Sequence, residues 1–80
     1  MTTGFYVTLR RDTLEGVKTA WLLGPFAEHE EALARVRETA EKAEEIDPRC
    51  FWDGHGTSSI TLDAPLSEFP AGKLNAMLGL

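Results

Sequence analysis

Eighty residues, 42% apolar and 26% charged, have the composition of one globular domain rather than a disordered chain. A chain of this length buries only about 60–65% of the surface its unfolded form exposes, so its core is thin. The net charge of −5 argues against direct binding of nucleic acid, which calls for a basic patch, and no apolar stretch approaches the ~20 residues that cross a bilayer.

The first element is read from Phe5 to Arg10, where Phe5, Val7 and Leu9 alternate with Tyr6, Thr8 and Arg10. That period of two predicts a half-buried strand. Asp12 to Gly16 supplies turn residues, and Val17 to Leu23 follows as the second strand of a hairpin. Trp21 and Leu23 share one face, with Trp21 the largest apolar side chain available to the core. Gly24-Pro25 is expected to end this strand, because proline has no N–H for a ladder, and Phe26 to cover the open end of the core.

A helix is predicted from about Glu28 to Ile46, stopped by Asp47-Pro48 because a residue before proline avoids the helical region. Leu33, Val36, Ala40 and Ala43 form its apolar stripe, widened by Ala32 and Ile46. Opposite lie Glu31, Glu38 and Glu45, seven residues apart, with Glu41 alongside; Glu31–Arg35 and Glu38–Lys42 have the spacing of favourable ion pairs. Residues 28–47 hold eight acids against three bases, and acids and bases balance in the rest of the chain. The whole excess of negative charge therefore belongs to this segment.

Phe51 to Gly56 reads as a loop and residues 57–62, where Ser58, Ile60 and Leu62 alternate with threonine and serine, as a third strand. A single α+β domain results over residues 1–80, with its core in 4–64. It is a ββαβ unit whose three-stranded antiparallel sheet has the order 2-1-3, with a right-handed crossover and one long acidic helix on one face. Residues 65–80 form a tail in which 70–78 is expected to make a short helix.

Cys50, Asp53 and His55 are the one cluster with ligand or nucleophile chemistry. A structural zinc site wants four Cys or His ligands, and the other histidine, His29, stands at the start of the helix. A Cys–His nucleophile needs the imidazole against the sulfur and a third group to orient it. Gly54-His55-Gly56 lacks the lysine of a phosphate loop, and His29-Glu30-Glu31 lacks the second histidine of a metalloprotease. No metal, no cofactor and no catalytic residue is expected, and Arg10, Arg11 and Lys18 read as a solvated basic spot on the hairpin. A lone cysteine excludes an internal disulfide and fits a reducing compartment. With no basic segment leading into an apolar run at the start, no signal peptide is expected.

Trp21-Leu22-Leu23-Gly24-Pro25-Phe26, then His29-Glu30-Glu31-Ala32-Leu33, Asp47-Pro48 and Gly56-Thr57 together resemble a type of small protein carried by proteobacterial phages and other mobile elements, mostly without assigned function. In that pattern a threonine precedes the histidine and would cap the helix; here Glu28 takes its place. A looser likeness, resting on size, acidity and apparent origin, is to anti-CRISPR proteins, which share no common motif, so no residue is carried over. The resemblance implies a non-enzymatic protein in the cytoplasm of a bacterial host. It would bind a host protein or protein–RNA complex, a CRISPR effector above all, without touching nucleic acid or membrane directly. It would be a monomer or weak homodimer. The expected contact residues are Glu31, Glu38, Glu41 and Glu45 on the acidic face and Trp52 in the loop, with a self-associating or adaptor module as the alternative.

Overall fold

The alternation at Phe5 to Arg10 belongs to a longer strand, β1 (Thr2–Thr13), in a computed structural model that describes residues 1–72. β1 is followed by β2 (Gly16–Phe26), α1 (His29–Ala34), α2 (Val36–Ile46), a 3-10 helix (Pro48–Trp52), β3 (Gly54–Leu62) and a 3-10 turn (Leu66–Glu68). The sheet order is β2-β1-β3 with both pairings antiparallel, the α+β architecture expected from the patterning.

The hairpin tip is tighter than the turn residues imply. Thr13 pairs with Gly16, the Thr13 hydroxyl donates to the Gly16 carbonyl at 2.6 Å, and Gly16 takes a φ of +122° that its missing Cβ permits. Gly24-Pro25 does not end β2. Pairing resumes at Phe5–Phe26 after register shifts around Val7, with Gly24 at φ +131° and a cis Gly24–Pro25 bond. β2 is an edge strand, where proline's missing N–H costs no ladder bond.

The long helix is two helices. Arg35, at φ −99° and ψ −3°, separates α1 from α2. α1 is tied to the sheet by His29, whose Nε2 lies 3.0 Å from the Thr57 hydroxyl and whose ring packs 5.7 Å from that of Phe5. Ala32, Thr39 and Ala43 are buried and Val36 half-buried, whereas Leu33 is 56% exposed. The inward stripe thus runs through Ala32, Val36, Thr39 and Ala43, also a 3- and 4-residue series. Small residues let the helix pair lie close to the sheet, and leucine is left outside. Ala43 meets Leu9, Leu22 and Cys50 in the central cluster, with Ala20 packed beside it.

Both faces of the sheet are covered. Trp21 is half-buried and stacks on Tyr6 at 4.5 Å, while the neighbouring Leu22 is fully buried in the helix-side cluster. Successive strand residues point to opposite faces, so the largest aromatic belongs to the second layer rather than to the main core. Residues 65–72 cross that second face. Phe69 is buried, its ring lying where a Cβ on Gly4 would come within 2.7 Å. The Tyr6 hydroxyl donates to the Pro70 carbonyl at 2.6 Å, and Gly72 N–H donates to Gly24 O at 3.0 Å. Burial raises the Tyr6 pKa. Pro70–Gly72 is therefore a non-helical crossing, and the rest of the expected tail helix lies outside the described residues.

Candidate functional site: an acidic ridge beside an ion cluster

α2 begins at Val36 and places Glu38, Glu41 and Glu45 at spacings of three and four, so they share one face, and all three are exposed. Glu31 is exposed too but sits on α1, across the break at Arg35, so the seven-residue series does not continue along one helix. Its carboxylate turns back and accepts from the Glu28 N–H at 3.2 Å. This satisfies a donor at a helix start that has no hydroxyl cap. The ion pairs differ from those the spacing suggests. Arg35 pairs with Glu38, and Arg37 reaches Glu41 at 3.8 Å. Lys42 instead lines a small cleft with Leu23, Arg35, Glu38 and Thr39. Neither Glu31 nor Glu45 has a basic partner among the described residues.

Trp52 closes the 3-10 helix that follows, and it is 85% exposed. Phe51, also exposed, meets it edge-to-face at 5.0 Å. The 3-10 helix turns because Asp47, at its N-cap, accepts from the backbone N–H of Arg49 at 3.0 Å, and Pro48 occupies the first position. Its buried member is Cys50, which anchors the turn to the core while both aromatics project outward.

Around Cys50 lies a cluster that the basic-spot reading misplaces. The Arg11 side chain turns inward, 15% exposed, and its Nε and Nη2 donate to Asp53 Oδ2 at 2.9 and 2.6 Å. Nη2 also lies 3.6 Å from Asp47 Oδ2 and donates to Cys50 Sγ at 3.6 Å. The Asp53 hydrogen bond holds the Arg11 guanidinium above its ordinary pKa, and burial pushes the Cys50 thiol up. A signal for this was present in the chain: extending the Phe5, Val7, Leu9 alternation by one step puts Arg11 on the helix-side face.

β3 begins at Gly54, so Gly54, His55 and Gly56 are strand residues opposite Arg10, Leu9 and Thr8 rather than a loop. His55 Nε2 donates to the Cys50 carbonyl at 2.9 Å and not to the thiol. The cluster accordingly holds the thiol against a guanidinium and a carboxylate, with one imidazole nitrogen of His55 bonded to backbone and the other, Nδ1, buried with no hydrogen-bond partner among the described residues. It has the chemistry of a structural joint between β1, the 3-10 helix and β3. Among the described residues no group of acids, histidines or cysteine is placed to hold a metal ion.

Asp47 carries a titration prediction. Hydrogen bonds from the Arg49 side chain and backbone N–H, with Arg11 adding attraction, lower its pKa from 3.8 to about 2. A carboxylate depressed in the folded state contributes stability above its unfolded pKa, and that contribution disappears as pH falls through about 2. Denaturant midpoints for the native chain and Asp47→Asn should therefore differ most at pH 5 and above, and converge between about pH 4 and pH 2. A gap independent of pH over that range would show that the charge is not what Asp47 contributes.

No protein-family model, curated protein or solved structure matches the chain. No helix among the described residues is long and apolar enough to cross a membrane.

Proposed function

We propose that this protein acts without catalysis, by binding another protein, and that its target is a CRISPR effector complex whose basic nucleic-acid groove receives the acidic ridge. The observation that carries this reading is the placement of the charge. The entire excess of acids falls on residues 28–47, the two helices with the flanking Glu28 and Asp47, where Glu31, Glu38, Glu41 and Glu45 are exposed, and Trp52 protrudes from the turn packed against α2. An exposed acidic ridge attracts a basic groove at long range and gives fast, salt-sensitive association. A protruding aromatic beside it supplies the apolar anchor on which interfaces concentrate their affinity. Bound there, the protein would exclude the DNA or RNA that the groove normally holds.

The test is to mix the protein with candidate effector complexes, follow co-elution, and then measure binding of target DNA. Reversing Glu38, Glu41 and Glu45 to lysine should abolish both co-elution and inhibition, and Trp52→Ala should weaken binding by about 2 kcal/mol, roughly thirtyfold. These side chains are exposed, so the fold should persist. Inhibition that survives charge reversal with the same salt dependence would sink the reading.

A further inference from the structure

The two margins of the sheet are treated differently. Along β2, Lys18 is charged, Pro25 has no N–H, and Gly24 is bridged by Gly72. These features block the addition of a strand. β3 lies at the other margin and has none of them. Its nine residues contain no proline and no Lys, Arg, Asp or Glu, and they pair with β1 from Thr2–Leu62 to Arg10–Gly54 without a register shift. Among the described residues no strand lies beyond it. A long, regular, uncharged edge is a template for another strand.

We propose that this margin pairs antiparallel with the β3 margin of a second copy, about a twofold axis at Ser58, to give a continuous six-stranded sheet. The occupant follows from the strand's self-complementarity. With Ser58 on the axis, Gly56 lies opposite Ile60 of the second copy, and Gly54 opposite Leu62. Large side chains on the face away from the helices therefore meet glycines. The room is present: a Cβ at Gly56 would have nothing within 4 Å, and Leu62 is 38% exposed. On the helix side Thr57 lies opposite Ser59, a pairing of hydroxyls that favours neighbouring strands. Charge selects the same surface. Two copies at −5 each repel, but β3 carries no acidic residue, and Asp53, which would come opposite Asp63, is already paired with Arg11. This inference is independent of the functional reading above.

The test is sedimentation of the full chain over a concentration series. A monomer–dimer equilibrium is expected for the native protein. Gly56→Val should leave the monomer folded by circular dichroism, because its side chain enters open space, yet abolish the dimer by colliding with Ile60 of the second copy. Combining Gly56→Val with Ile60→Ala should restore it, since large and small exchange places. A native chain that stays monomeric at every concentration overturns the proposal, and so does a dimer indifferent to Gly56→Val.

Discussion

Gly24→Ala is expected to remove about 3 kcal/mol of stability, combining the cost of an unfavourable backbone region with that of overpacking. A domain of this length has about 4–12 kcal/mol in all, so the loss is a large share. Gly24 sits at φ +131°, where side chains are rarely tolerated, and its added Cβ would lie 2.8 Å from the Phe5 carbonyl oxygen and 2.9 Å from a Tyr6 ring carbon. The first of these is backbone and cannot rotate away. Tyr6 in turn stacks on Trp21 and holds Pro70, so the disturbance reaches the layer formed by residues 65–72. Urea denaturation of Gly24→Ala beside Gly56→Ala measures the effect, because the second substitution meets open space and should shift the midpoint little. Equal shifts for the two would refute the steric account.

Arg11→Leu should cost about 2 kcal/mol, below the 3–5 kcal/mol typical of a fully buried pair because water still reaches the guanidinium. Asp53, 9% exposed, would then keep a charge without its bidentate partner. The companion variant Arg11→Leu/Asp53→Leu should be more stable than Arg11→Leu alone, since it removes the unpaired charge along with the pair. A double-mutant cycle in urea reads the coupling directly. Strict additivity would mean that the cluster around Cys50 is held by packing and not by the ion pair.

The half-buried strand expected at Phe5 to Leu9 is covered on both faces, with Tyr6 and Thr8 buried like Val7 and Leu9, but the acidic excess on one segment is a local property and survives folding unchanged. So does the sheet order, because a hairpin followed by a helical crossover leaves β1 as the natural centre. The candidate ridge was legible to the same extent: Glu38, Glu41 and Glu45 need only a helix to share a face. Glu31 needed more, since its position depends on whether the helix is continuous through Arg35. Leu33 was misleading for a related reason. Two stripes fit a helical period here, and the choice between them depends on how closely the helices approach the sheet.

By itself, then, the amino-acid order determined the α+β class, the sheet order and the location of the net charge, but not the helix break at Arg35, the 3-10 helix or the start of β3 at Gly54. Tertiary structure decided the rest. It turned Arg11 inward to Asp53, moved Trp21 into a second layer against Tyr6, and laid Phe69 over Gly4. Each of these joins residues some 15 to 65 positions apart. Their energies come from burial and pairing available only once the sheet exists; the strand period places Arg11 on the helix-side face, but nothing local encodes its pairing with Asp53.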